Sequence, residues 1–98
     1  MGYEIPIPMI EFWKGTDQLK YEYEMRYGTN GRVARNGWSR AYYGNGNLER
    51  EGAYIDGERS GLWTYYAADG SIDRTENNGG NPVWTGPDQP KAVPGTEQ

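Results

Sequence analysis

The sequence comprises 98 residues with a formal net charge of −4, and it contains no cysteine and no histidine. Disulfides, thiolate nucleophiles, Ser-His-Asp triads and histidine metal ligands are therefore excluded. Nine tyrosines and four tryptophans supply much of the apolar surface, so we expect a folded domain with an aromatic core. Because the chain lacks cysteine and has no apolar run of ~18 residues, we expect a cytoplasmic protein.

Residues 1–11 (MGYEIPIPMIE) are predicted to form an extended apolar arm. Pro6 and Pro8 exclude a regular helix and suit an edge strand or polyproline II geometry. Two interpretations are open: the arm caps the domain's own sheet, or it docks on another subunit. In both cases the contact is made by the same apolar side chains, the docking-arm residues Ile5, Ile7, Met9 and Ile10.

Residues 12–75 are predicted to form a β-hairpin repeat domain. Residues 19–27 (LKYEYEMRY) alternate strictly between charged and apolar or aromatic side chains, which is the period of a half-buried strand. We therefore expect an all-β fold, a single twisted antiparallel meander of five or six strands with the aromatic side chains concentrated on one face. The other strands are predicted at 38–43, 48–55, 62–67 and 71–75, with a weak one near 32–35.

Five Asn-Gly or Asp-Gly dipeptides punctuate the predicted strands. Such dipeptides supply the positive φ angles that type I′ hairpin turns require. They are predicted to form the turns of the meander, and they are Asn30-Gly31, Asn36-Gly37, Asn45-Gly46, Asp56-Gly57 and Asp69-Gly70.

Residues 76–98 differ in composition and hold four of the six prolines. They are predicted to form a disordered, flexible tail, because they contain few residues that favour strands. Trp84 is the exception in this segment, and two interpretations of it are open. It folds back on the domain, or it serves as a short linear ligand for another protein.

The middle of the chain repeats itself when Gly37 is aligned with Gly61. Each unit is one hairpin, too small to bury an aromatic face alone, so neighbouring hairpins must stack into a continuous sheet. The alignment pairs Tyr42 with Tyr66, Gly46 with Gly70, Leu48 with Ile72 and Arg50 with Arg74.

These motifs resemble the MORN-repeat-variant family of antitoxin-like β-hairpin repeat proteins. The strong match covers residues 36–74, and the resemblance implies meandering hairpins, protein–protein interaction and, more weakly, contact with acidic lipids. The array has barely two and a half units where solenoids generally need about three, so the arm or another chain is expected to cap it. The matching motifs are Gly37-Trp38, Tyr42-Tyr43, Asn45-Gly46-Asn47-Leu48, Gly52-Ala53-Tyr54-Ile55-Asp56-Gly57, Gly61-Leu62-Trp63, Tyr65-Tyr66 and Asp69-Gly70.

No set of residues in the sequence has the pattern of an active site or a cofactor site. The chain has no nucleophile with a histidine base and no phosphate-binding glycine motif, so we expect neither an enzyme nor a bound cofactor or metal. The carboxylate pairs Glu22/Glu24 and Glu49/Glu51 are interpreted as solvated strand faces.

Residues 25–48 carry four arginines and no acidic residue, within an otherwise acidic chain. Arginine interleaved with aromatic residues suits phosphate contact and base stacking, and it equally suits a protein interface. Solubilising charge on hairpin loops is the other interpretation. The candidate anion-binding residues are Arg26, Arg32, Arg35 and Arg40.

The sequence favours a non-catalytic protein–protein interaction module, a small subunit, inhibitor or adaptor, that acts through an aromatic sheet face. The alternative is a binder of an acidic ligand, nucleic acid or anionic lipid, through the Arg26–Arg40 segment. We expect a homodimer or a stable complex with another protein, and no small-molecule substrate. The candidate partner-binding residues are Trp38, Tyr42, Tyr43, Trp63, Tyr65 and Tyr66.

Overall fold

A computed structural model of the chain describes residues 5–28, 30–88 and 90. Six strands form one open antiparallel sheet in which each strand pairs with the next one along the chain. The predicted all-β meander is therefore confirmed. The strands are β1 Ile7–Phe12, β2 Leu19–Tyr27, β3 Val33–Tyr42, β4 Leu48–Ile55, β5 Glu58–Tyr66 and β6 Ile72–Asn77.

The described part of the chain has no helix that is long and apolar enough to cross a membrane.

Four of the five predicted turn dipeptides connect successive strands. The clearest is Asp56-Gly57 between β4 and β5, where both residues have positive φ, of 50° and 87°, as a type I′ turn requires. Asn30-Gly31, Asn45-Gly46 and Asp69-Gly70 lie between β2 and β3, β3 and β4, and β5 and β6. Local turn chemistry therefore determines most of the hairpin positions.

The fifth dipeptide, Asn36-Gly37, lies inside β3 and is not a turn, so the predicted strands at 32–35 and 38–43 are a single strand. Gly37 has a φ of 108°, and the register of β3 against β2 shifts at this point. Tyr23 is opposite Ser39, whereas Met25 is opposite Arg35, so residues 36–38 bulge opposite Glu24. A positive φ at glycine serves a β-bulge as well as a turn, and the pairing on both sides of the bulge keeps the strand continuous.

The predicted arm contributes the first strand of the sheet, which begins at Ile7 and so lies mostly outside the hairpin domain predicted at residues 12–75. β1 lies along the edge of β2, with Ile7 opposite Met25 and Met9 opposite Tyr23. Pro8 is tolerated here because an edge strand can dispense with one backbone donor. The arm therefore extends the domain's own sheet, and the part of it at residues 1–4 lies outside the described residues.

The predicted flexible tail begins inside β6, which ends at Asn77. Residues 78–88, which we call the return segment, then run back over one face of the sheet. The turn into the segment is fixed by two hydrogen bonds, from Gly61 N to Gly79 O (2.6 Å) and from Asn78 N to Gly61 O (2.9 Å). Gln89 and residues 91–98 of the predicted tail lie outside the described residues.

Both faces of the sheet carry aromatic side chains, so the predicted concentration of the rings on one face is only partial. Because successive strand residues point to opposite faces, the registers divide the rings into two sets. One face, which we call the covered face, lies beneath the return segment and holds Trp38, Tyr42 and Tyr66. The opposite face holds Tyr21, Tyr23, Tyr54, Trp63 and Tyr65.

Trp63 is the largest fully buried side chain among the described residues, with 1% of its surface exposed. Its ring lies directly over the backbone of Gly52 on the neighbouring strand, and its Nε1 donates a hydrogen bond to Ala53 O at 3.0 Å. The ring meets the edge of Tyr54 at 5.1 Å between centroids. Glycine is therefore required at position 52 because a side chain there would occupy the space of the indole.

We predict that Gly52→Ala destabilises the domain by about 1–3 kcal/mol or more, as overpacking does in a close-packed core. An added Cβ would lie 2.3 Å from the Trp63 ring. Gly44→Ala is the matched control, because nothing lies within 4 Å of its Cβ position, and it should change stability by less than about 0.5 kcal/mol. Urea denaturation measures both, and equal stabilities for the two variants would contradict this packing.

Candidate functional site

The face opposite the return segment presents arginine side chains among its aromatic rings. The register places Arg50 opposite Tyr65, Tyr65 opposite Arg74, and Tyr54 opposite Arg59. The described strands make their main contacts with their neighbours in the sheet, and the described residues form no helix and no second sheet that could lie over this surface. We call it the arginine–aromatic face, and it consists of Tyr21, Tyr23, Arg35, Arg50, Tyr54, Arg59, Trp63, Tyr65 and Arg74.

The guanidinium groups of this face lie over the rings. Arg35 is 4.2 Å from the centroid of Tyr23 and 5.4 Å from that of Tyr54. In the same way, the guanidinium of Arg59 lies 4.8 Å from the ring centroid of Trp63, and that of Arg74 lies 4.0 Å from the ring centroid of Tyr65. Each such contact contributes roughly 0.5–1 kcal/mol at an exposed site. The arginines therefore shield the rings from water while their charged groups remain at the surface.

The end of this face nearest β6 forms a cavity of about 370 Å³ with charges of both signs on its wall. Arg50 lies 3.3 Å from Glu49, and Arg74 lies 3.4 Å from Asp73. The third pair joins Arg59 to Glu76 at 3.7 Å, and the Tyr65 hydroxyl also donates to Glu76. Exposed ion pairs of this kind contribute little to stability, so their charges can be exchanged for those of a partner at small cost.

Two tyrosines of this face have a pKa above the ordinary value of 10.0. Burial raises the pKa of Tyr23, and the hydrogen bond that its hydroxyl donates to Glu11 raises it further. Burial and the hydrogen bond to Glu76 raise the pKa of Tyr65 in the same way. Both hydroxyls therefore stay protonated and act as hydrogen-bond donors at neutral pH.

The six candidate partner-binding residues are not brought together. Trp63 and Tyr66 are buried, so neither is available to a partner. Trp38 and Tyr42 lie on the covered face, and the Tyr43 hydroxyl is used in a hydrogen bond to Tyr66 O at 2.7 Å. Tyr65 is the one of the six that lies half-buried on the arginine–aromatic face.

The four candidate anion-binding arginines are also separated. Arg26 pairs with Glu24 at 3.2 Å on the covered face, and Arg32 is exposed in the turn before β3. Arg40 pairs with Glu51 at 2.7 Å and donates to Asp88 O at 2.7 Å. Arg35 is the member that joins the arginine–aromatic face. The positive segment of the sequence is therefore not one patch on the protein.

The docking-arm residues are all exposed along β1 or just before it. Ile7 and Met9 continue the arginine–aromatic face at its β1 end, and the exposed Tyr27 and Val33, which are paired across β2 and β3, lie on the same face. Ile10 points to the covered face, and Ile5 precedes the strand. An apolar strip therefore borders the arginine–aromatic face, made of Ile7, Met9, Tyr27 and Val33.

The carboxylate pairs expected to be solvated are instead part of a polar network on the covered face. Glu51 is 1% exposed, where it accepts hydrogen bonds from Arg40 Nε and from the Tyr66 hydroxyl. Tyr42 donates its hydroxyl to Glu22, and Glu24 accepts from the hydroxyl of Thr85 at 2.9 Å. The prediction was wrong because the return segment and neighbouring strands bury this face. Glu49, which is 35% exposed, fits the original expectation.

Sequence reasoning did not identify Arg50, Arg59 and Arg74 as site residues. One signal for two of them was present in the repeat, since the alignment of Gly37 with Gly61 pairs Arg50 with Arg74. These two arginines are on opposite sides of Tyr65 in the sheet. The repeat in the sequence therefore corresponds to two arginines that flank the Tyr65 ring in the sheet.

Within the described ranges, no three acidic side chains lie close enough together to hold a metal ion. Comparison with known proteins finds no family model, no curated protein and no solved structure that matches the chain.

We predict that Glu51→Gln destabilises the domain by about 3 kcal/mol or more, because it removes the buried charge that Arg40 faces. Glu49→Gln is the matched control and should cost less than about 1 kcal/mol, since its ion pair with Arg50 is exposed to solvent. Chemical denaturation gives both free energies of unfolding. A loss for Glu51→Gln no larger than that for Glu49→Gln would show that the network contributes no stability.

A second prediction concerns alkaline pH. Burial of Tyr42, and then its hydrogen bond to Glu22, raise the pKa of its hydroxyl well above 10.0. Above pH 10 the unfolded chain releases this proton while the folded domain retains it. Stability should therefore fall by up to about 1.4 kcal/mol per pH unit from this residue. Tyr42→Phe should show a shallower decline of unfolding free energy above pH 10, and parallel profiles would contradict the assignment.

Proposed function

We propose that this protein is a non-catalytic interaction module that binds another protein through the arginine–aromatic face. The observation that carries the proposal is that the described residues place no second layer of strands or helices on this face, while the chain's own return segment covers the opposite one. Arginine, tyrosine and tryptophan are the residue types that dominate the binding energy of protein interfaces. The hairpin meander agrees with the proposed MORN-type assignment, for which protein binding is the expected role.

The mixed charge of the face favours a protein over a polyanion. Arg50, Arg59 and Arg74 each have a carboxylate within 4 Å. Nucleic acids and anionic membranes bind through uncompensated basic charge, and these carboxylates would repel phosphate groups. A protein surface presents both signs of charge and can pair with both. The apolar strip of Ile7, Met9, Tyr27 and Val33 adds the dehydrated area that such an interface uses.

A non-catalytic role is supported by how the carboxylates are used. Glu51 and Glu22 are both engaged by tyrosine hydroxyls, and Glu51 is also held by Arg40. A general acid or base must exchange a proton with a substrate, so carboxylates occupied in this way are poor candidates. The sequence contributes no histidine or cysteine to replace them.

The proposal is tested with the full chain as bait in an extract of its native host. Arg50→Gln/Arg74→Gln removes the two cations around Tyr65 and should reduce capture of the partner at least tenfold, since hot-spot residues each contribute over ~1 kcal/mol. Lys14→Gln/Arg32→Gln makes the same change of charge at exposed turn positions and should capture the partner as the unchanged protein does. Quantitative mass spectrometry compares the baits.

The captured partner is then purified and titrated at low and high salt. Protein binding through packed rings and ion pairs should weaken moderately as salt rises. If the Arg50→Gln/Arg74→Gln variant still captures the partner, the interface lies elsewhere on the molecule. A steep linear dependence of the logarithm of affinity on that of salt, with nucleic acid in the captured material, would favour the polyanion function instead.

A further inference from the structure

A second candidate site lies on the covered face, beneath the return segment and away from the proposed interface. A cavity of about 200 Å³ opens between the ends of β2 and β4, the bulge of β3 and the middle of the return segment. Its wall is formed by four residues with polar side chains, by Gly37 and by four apolar residues. The polar ones are Arg26, Asn36, Tyr54 and Thr85, and the apolar ones are Ala53, Ile55, Pro82 and Val83.

Two hydrogen-bond donors in this wall, Arg26 Nε and Asn36 Nδ2, are buried and have no acceptor among the described residues. The amide orientation of Asn36 is fixed, because its Oδ1 accepts a hydrogen bond from Asp56 N at 2.7 Å. The guanidinium of Arg26 is held through its other end, where Nη2 lies 3.2 Å from Glu24 Oε1. Neither side chain can therefore turn away without losing a bond that it already makes.

Each buried donor without an acceptor costs roughly 1–3 kcal/mol. The cost of both donors in the wall of this cavity is offset when a ligand brings an acceptor oxygen within hydrogen-bond distance of them. A carbonyl oxygen has two lone pairs and is suited to accept from both donors at once. A water molecule would satisfy the donors, but its own hydrogens would meet a largely apolar wall.

The charge and size of the cavity limit the class of ligand that it can bind. Glu24 already balances the charge of Arg26, and its Oε1 also accepts from the Thr85 hydroxyl, so an added anion would lie beside a carboxylate. A neutral acceptor avoids this repulsion. The volume is below the ~300 Å³ of ordinary ligand pockets, and the side chains of Ile55 and Val83 offer apolar contact. We propose that this cavity binds a small neutral carbonyl compound with a short aliphatic group, such as a primary amide.

The test is a titration of the ¹⁵N-labelled full chain with isobutyramide, followed by NMR of the side-chain N–H groups. The Asn36 amide protons and the Arg26 Nε proton should shift together and saturate. The dissociation constant should be on the order of millimolar, because the ligand has so few atoms. Isobutyrate has the same shape with a negative charge, and it should bind at least tenfold more weakly.

Asn36→Asp removes the donor but keeps the oxygen that accepts from Asp56 N, and it should weaken isobutyramide binding at least tenfold. Asn30→Asp is the matched control, since Asn30 uses its Oδ1 in the same way, for Arg32 N at 2.9 Å, in an exposed turn. The control should bind as the unchanged chain does. If Asn36→Asp does not fold, the titrations of the unchanged chain with isobutyramide and isobutyrate still test the proposal.

Three results would overturn the inference. Shifts that grow linearly without saturating show that the cavity does not bind the amide. Equal affinity for isobutyrate shows that the site is an anion site and not a carbonyl site. A long-lived water that contacts both donors, and that isobutyramide does not displace, shows that solvent alone fills the cavity.

Discussion

The described residues form a single sheet of six strands with two faces and no second layer of secondary structure to bury either of them, and this constraint governs the rest of the molecule. Each face must be shielded by whatever the chain can supply. On one face the shield is the return segment, whose Trp84 ring lies 6.0 Å from that of Trp38. On the other face it is a layer of arginine side chains, which cover apolar surface with their stems while their charges stay in water. Trp63 is fully buried on this second face, where the guanidinium of Arg59 lies over its ring.

The polar network of the covered face ties three strands together at one carboxylate. Glu51 of β4 is bound by Arg40 of β3 and by Tyr66 of β5. A buried charge without such partners would be costly, so any slip of register that separated them would be penalised. The network therefore supplies the specificity of pairing that a thin aromatic core supplies only weakly. Thr85 extends it to the return segment by donating to Glu24 and accepting from Trp38 N.

The same arrangement links stability to the proposed function. Arginines that lie over rings hold the arginine–aromatic face in a fixed and partly dehydrated state before any partner arrives. Preorganised side chains lose less conformational entropy on binding than mobile ones, which favours this face as an interface. The covered face has the opposite character, since its buried polar side-chain atoms are hydrogen-bonded within the described residues apart from the two donors at the cavity beneath the return segment. The two proposals thus concern different faces and different chemistry.

The sequence by itself determined β2, β4, β5 and β6 and most of the turns, because these depend on local chemistry, whereas β1 was predicted as an arm and β3 as two strands. The alternation at residues 19–27 and the four Asn-Gly or Asp-Gly turns are readable from a few adjacent residues. The bulge at Gly37 could not be predicted from the sequence, because an Asn-Gly dipeptide with a positive φ occurs both in a turn and inside a strand. The candidate site was predicted only through Arg35, Trp63 and Tyr65. Which rings share a face depends on register and bulges, and which face is buried depends on where residues 78–88 return. Those are contacts between residues far apart in the chain, so only the tertiary structure decided them.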